Sequence, residues 1–194
     1  MAAKTEARRA QLRDTLLEAA TVRIARDGLG DLRARDLARD AGCSLGAIYN
    51  VFDDLHALVM AVNGQTFHDL GQAVAAAYDG TEPPVDRLIL MAHAYLHFAE
   101  ANEKLWQALF DINAPEEELP DWYRAALAGL FRYISDPVSQ IFPDLDLEGL
   151  ELMTRALFSS VHGIVLLGLG NRVSGVPRAQ LEMMISQVLR KVAT

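Results

Sequence analysis

Apolar residues in this chain recur at intervals of three and four. No segment sustains the two-residue alternation of a strand, so the pattern predicts an all-α fold. The first helix is expected over about 6–27. Its stripe is Leu12, Leu16, Ala19, Ala20 and Ile24, and Gly28 follows as a C-terminal stop. Two short helices come next, at about 33–40 and 44–51. A longer one starts near Asp53 or Asp54, whose carboxylates suit a helix N-terminus, and runs to about 78. After a break at 79–84, helices are expected at about 85–101 and 104–112, and an acidic loop at 115–120. The next helix covers about 121–135, with 134–137 ending or kinking it at Pro137. A long helix from 144–148 to about 170 and a last one over 177–192 are separated by Gly175-Val176-Pro177.

Three features coincide within residues 33–52. Arg35-Asp36-Leu37-Ala38 opens a short helix, and the small Ala38 lets a following helix cross closely. Ala41-Gly42-Cys43-Ser44 has the makings of a tight turn, with Gly42 free to take the left-handed conformation and Ser44 able to cap the next helix. In the stretch after it Ile48, Val51 and Phe52 share one face, while Gly46, Ala47, Tyr49 and Asn50 fall on others. A short second helix that presents such residues to a duplex is the helix-turn-helix arrangement. Gly46 and Ala47 permit close approach, Tyr49 can donate to a phosphate, and Asn50 can bond a phosphate or a base edge. The plain alternative is a helical corner in a bundle.

Composition sharpens this picture. At 51% hydrophobic the chain has ample material for a core, and the net charge of −8 argues against indiscriminate affinity for nucleic acid. The charge is unevenly spread. Residues 1–56 hold nine Lys or Arg against nine Asp or Glu; the remainder holds nine against seventeen. Lys4, Arg8, Arg9 and Arg13 oppose only Glu6 in the first thirteen residues, so the N-terminal segment is the part suited to a polyanion. The first ten residues lack the apolar core of a signal peptide. The longest apolar stretch, around 164–169, is too short to span a bilayer. Cys43, the only cysteine, can form no intrachain disulfide; it is expected to be a small buried hydrophobe, with a redox role the lesser reading. A cytoplasmic protein is expected.

The run Leu16-Leu17-Glu18-Ala19-Ala20, then Gly28, Leu37-Ala38, Ala41-Gly42-Cys43-Ser44, Gly46, Ile48-Tyr49, Phe52 and Leu58, resembles the N-terminal domain of TetR-type regulators. Three later segments look like the C-terminal class called WHG: Ala94 to Ala99, Leu105 to Phe110, and Phe158 to Ile164, with Phe158 where that class has Trp. The resemblance implies a helix-turn-helix DNA-binding domain at 1–56 and a ligand-binding and dimerisation bundle at 57–194. It implies a homodimeric, non-enzymatic repressor that binds a palindromic double-stranded operator and is released by a small-molecule effector. DNA-binding residues are expected at Arg8, Arg9, Arg33, Arg35, Ser44, Leu45, Gly46, Ala47, Tyr49 and Asn50. The sequence departs from the family at Leu55, where Lys is usual, at Leu45, often basic or polar, and at Arg33, usually Ser or Thr, where Asp31 is the substitute cap. A ligand-binding protein of the same fold with weakened DNA binding is the alternative.

Met91, Tyr95, Trp106, Phe110, Phe158 and His162 are the candidate lining of an effector cavity. At helical spacing such residues also read as core. His93 and His97 stand four apart, a spacing that can hold a metal. No cysteine or carboxylate cluster accompanies them, so core or pocket histidines are expected and no cofactor or metal. A metal-dependent bundle enzyme would need paired Glu-x-x-His segments, which the chain lacks. Leu147, Leu150, Met153, Leu157, Val161 and Ile164, with Leu181, Met184, Ile185, Val188 and Leu189, give the last two helices wide apolar stripes. These suit either packing within one subunit or a four-helix interface with a second copy.

Overall fold

The computed structural model describes residues 2–112, 115–170 and 176–192. Among these residues nine α-helices and no strand are present. They are α1 (Ala2–Asp27), α2 (Ala34–Asp40), α3 (Leu45–Tyr49), α4 (Leu55–Ala75), α5 (Pro84–Ala101), α6 (Glu103–Ala108), α7 (Asp121–Ile141), α8 (Leu147–Leu169) and α9 (Leu181–Val192). The expected all-α class is the observed one. The Gly175 break lies outside the described residues. The chain divides into two compact units, Met1–Thr66 with Asn102–Leu119, and Phe67–Ala101 with Pro120–Thr194, so the division falls inside α4.

The first unit is built on the stripe of α1. Leu16, Ala20 and Ile24 are fully buried, with Leu12 and Ala19 packed beside them, and they meet Leu37, Ile48, Phe52, Leu58 and Val62. Each such aliphatic side chain contributes about 1.5–3 kcal/mol by leaving water. Residues distant in sequence complete this core. Ala108 of α6 is fully buried in it, the amide of the buried Asn63 donates to the Ala108 carbonyl at 2.9 Å, and Lys104 Nζ donates to the Arg26 carbonyl at 2.5 Å. A cation at the last turn of α1 also complements the helix dipole. Gly28 ends α1 at φ +90°, its N–H donating to Ile24 O.

The second unit packs α5, α7, α8 and α9 with the later part of α4 around Phe67, Leu88, Leu96, Val138, Val165 and Ile185. Asp146 caps α8 by accepting from Gly149 N–H at 2.8 Å. The helix does not end at Pro137, one of the two outcomes expected there; α7 continues through it to Ile141. The proline forfeits one backbone bond, but Pro137 and Val138 are both buried, and this packing holds the turn helical.

By length and composition α8 is apolar enough to cross a bilayer, unlike the short run at 164–169 within it. That run is bounded by neutral residues, and α8 as a whole intersperses Ser, Thr, Gly and His among its apolar positions. In the structure α8 packs on α7 and α9, with 33% of its most apolar window buried.

Candidate nucleic-acid interface

The turn between α2 and α3 is made by local chemistry. Gly42 sits at φ +62°, where a side chain would be strained. Its N–H donates to Arg39 O at 3.2 Å, and the Cys43 N–H donates to Ala38 O at 2.9 Å. These two bonds form the Schellman closure of a helix C-terminus. One residue on, Ser44 takes an extended conformation and its Oγ accepts from Ala47 N–H at 3.3 Å, starting α3. α3 is shorter than expected, but Phe52 N–H still donates to Ile48 O at 2.9 Å and carries the bend onward.

This geometry sorts the side chains. Ile48 and Phe52 are locked into the core, with Val51 and Ala47 half-buried, while Ser44, Leu45, Gly46, Tyr49 and Asn50 are exposed. Arg13, itself exposed, holds its guanidinium 5.3 Å from the Phe52 ring centre, a contact no local sequence signal marks. α4 starts beside this surface with Asp54 as its cap, Oδ1 accepting from Ala57 N–H at 2.6 Å. Leu55, where the family carries Lys, is half-buried against the core.

The basic residues of the unit divide into two sets. Arg23 bonds Asp40 at 2.5 Å and approaches Asp36 at 3.8 Å, Arg39 bonds Asp36 at 2.8 Å, and Arg26 bonds Asp27 at 2.6 Å. The Arg23 hydrogen bond holds the Asp40 carboxyl below the usual carboxylate range, and Arg26 does the same to Asp27. Among the described residues Lys4, Arg8, Arg9 and Arg35 are exposed and form no ion pair. Arg33 stands at the N-terminus of α2 without capping it. Its Nη1 donates to Gly30 O at 2.7 Å and to Leu32 O at 3.0 Å, and no Asp31 side-chain bond substitutes as the cap.

The six candidate effector residues do not share one unit. Trp106 and Phe110 belong to the first, where their rings meet edge-on at 5.5 Å, Trp106 fully buried and Phe110 exposed. Met91, Tyr95, Phe158 and His162 belong to the second. There Tyr95 OH lies 2.8 Å from His162 Nδ1, Phe158 stacks on His162 at 5.6 Å, and Phe131 meets Phe158 at 5.1 Å. Burial lowers the His162 pKa, favouring a neutral imidazole that can accept the phenol's proton. Phe131, with the Arg155 guanidinium 5.5 Å from its ring centre, is a member that the sequence did not single out. His93 and His97 face α9. His93 Nε2 lies 3.0 Å from Ser186 Oγ, and His97 Nε2 lies 2.7 Å from a Glu182 carboxylate oxygen. Among the described residues no three His, Cys, Asp or Glu side chains converge as a metal site.

A capped short helix displaying small, hydroxyl and amide groups above a core shared by α1, α2, α4 and α6 defines a helix-turn-helix head. The family model for the tetracyclin repressor-like C-terminal domain matches residues 88–191, more than half of the chain. A solved protein of unknown function from Rhodococcus sp. RHA1 is 26% identical, with a TM-score of 0.75 over 93% of this chain and 94% of that one. A TetR-family transcriptional regulator from Streptomyces coelicolor shares the fold at a TM-score of 0.69 and 20% identity, over 95% and 82% of the two chains. So does RolR in complex with resorcinol, at 0.70 and 16%, over 96% and 89%. No curated protein matches the chain. The chain belongs to the tetracyclin repressor-like, or TetR, family of transcriptional regulators. Such regulators bind DNA and small molecules, generally as dimers.

Proposed function

We propose that this protein is a ligand-released repressor that binds a palindromic operator as a homodimer and catalyses no reaction. The observation that carries the reading is the sorting at α3: Ile48 and Phe52 fixed in the core, and Ser44, Leu45, Gly46, Tyr49 and Asn50 facing outward, with Ala47 half-buried between them. Arg8, Arg9 and Arg35, with Arg33, would hold phosphates on either side. Two such heads would engage half-sites about 34–36 Å apart, or a multiple of that. A regulator of this kind works beside the chromosome, in the cytoplasm.

The second copy would cover α8 and α9. Leu157, Val161, Leu181, Ile185 and Leu189 are used up in packing within the subunit. Leu147, Leu152, Leu166, Leu167 and Met183 are exposed, which supports an isologous interface through these two helices. Tyr95, Phe158 and His162, with Met91 one turn before Tyr95, offer rings and one polar point to an effector. RolR, which shares the fold, holds resorcinol. The effector would release DNA by favouring the arrangement that binds DNA less well.

The alternative, a TetR-fold ligand-binding protein with weakened DNA affinity, draws on Leu45, Leu55 and the Asp53–Asp54 pair. Fluorescence anisotropy with duplex DNA from upstream of the protein's own gene separates the two. Submicromolar binding that Tyr49→Ala weakens tenfold or more supports the repressor; equal, weak binding by both proteins supports the alternative.

A further inference from the structure

We infer that Leu45 is a base-reading residue, making apolar contact with the C5-methyl group of a thymine in the major groove, so that α3 reads A·T pairs. This rests on the operator binding proposed above and adds what the operator contains.

The charge pattern narrows the choices first. Between Arg39 and Arg87 the chain has no Lys or Arg, so neither α3 nor the residues flanking it carry a cation. The commonest specific contact, Arg or Lys to guanine O6 and N7, is therefore unavailable to this helix. Base reading falls to Ser44, Leu45, Tyr49 and Asn50. The Ser44 oxygen already accepts from Ala47 N–H, which leaves its hydroxyl one proton to donate.

Leu45 is the first residue of α3, at the end of a recognition helix that approaches base edges. It is 40% exposed, and Tyr49, one turn on, is 49% exposed. A Cβ added at the intervening Gly46 would meet nothing within 4 Å, so the backbone can come close to a groove floor beside Leu45. The thymine methyl is the apolar group that a base pair displays in the major groove. Exposed Lys4, Arg8, Arg9 and Arg35, which form no ion pair among the described residues, lie on the same unit and suit a polyanionic partner.

The test begins by selecting duplexes from a random pool with the full-length wild-type protein. Each thymine of the selected half-site is then replaced by uracil, which removes the methyl and leaves every hydrogen-bonding edge. At one thymine the replacement should weaken binding about 4-fold per half-site, the worth of one buried methyl. Leu45→Ala should bind thymine and uracil duplexes equally, whereas Leu45→Met keeps the preference. If uracil is neutral everywhere, or its effect persists in Leu45→Ala, Leu45 does not read the methyl. A selected core of guanines overturns the inference as well. If no duplex is enriched, operator binding itself is overturned. Should Leu45→Ala fail to fold, the uracil series on wild type and Leu45→Met decides.

Discussion

Gly168 and Leu181 lie so close that a Cβ on the glycine would stand 2.3 Å from one Leu181 methyl and 2.7 Å from the other. Leu181 is fully buried at the start of α9, so the absent side chain of Gly168 is what lets α8 and α9 touch there. Gly168→Ala should destabilise the protein by about 1–3 kcal/mol through overpacking. Leu181→Ala should cost about 2–5 kcal/mol through a cavity. The double variant should be less destabilised than the sum, because each change relieves the other. Urea unfolding of the four proteins measures this; strict additivity would show that the two residues do not share the space.

The turn of the head gives a second expectation. Gly42→Ala forces a side chain into the left-handed region and should cost about 1–2 kcal/mol. Ser44→Ala removes a long cap bond and should cost about 0.5–1 kcal/mol. Thermal unfolding reads both, and a larger loss for Ser44→Ala than for Gly42→Ala would contradict the assignment.

The two sets of arginines predict different salt dependences. For Arg8, Arg9 or Arg35 to Ala, the slope of log K against log salt should flatten by about 0.9 for each phosphate no longer neutralised, twice that for a symmetric dimer. Arg26→Ala and Arg39→Ala remove charges already paired with Asp27 and Asp36, and should leave the slope unchanged. Anisotropy titrations across a salt series compare them.

His162 sets a pH dependence. Its pKa in the folded protein lies below the ordinary 6.5, so the unfolded chain binds the proton more readily. The neutral imidazole's contribution is complete above pH 6.5 and is lost as pH falls toward the folded pKa. The thermal midpoint of wild type should drop from about pH 7 to 5 more steeply than that of His162→Gln, which cannot titrate. Parallel curves would mean that His162 carries no such burden.

Asp40 gives the same sign in a lower range. Its carboxyl is held below 3.8 by Arg23, so its contribution is present above that value and disappears as pH falls through the folded pKa. Asp40→Asn should be less stable than wild type at neutral pH and match it in strong acid, as followed by circular dichroism melts.

What the sequence revealed was mostly local. Gly28, Gly42 and Ser44 announce their turns because left-handed backbone and capping are matters of one or two residues. The stripe Leu16, Ala20, Ile24 announces its buried face because a helix imposes the period. Pro137 does not end its helix, because the packing of Pro137 and Val138 outweighs a local preference. The apolar stripes of α8 and α9 could not be divided in advance. Which leucines pack internally depends on where α5 and α7 lie, and that information is not within either helix. The ring cluster was half legible: Tyr95, Phe158 and His162 converge, while Trp106 and Phe110 went to the other unit through the placement of α6.

The first unit's reliance on α6 bears on how the chain is made. Residues 1–66 precede α6 in the chain, yet Lys104 and Ala108, whose carbonyl accepts from Asn63, come only after another 35 residues, 67–101, have been synthesised. At about 5–20 residues per second, the nascent head waits seconds with its core open before it can seal. The core beneath α3 is thus completed late, and a fragment cut at Thr66 would expose the apolar patch that α6 covers.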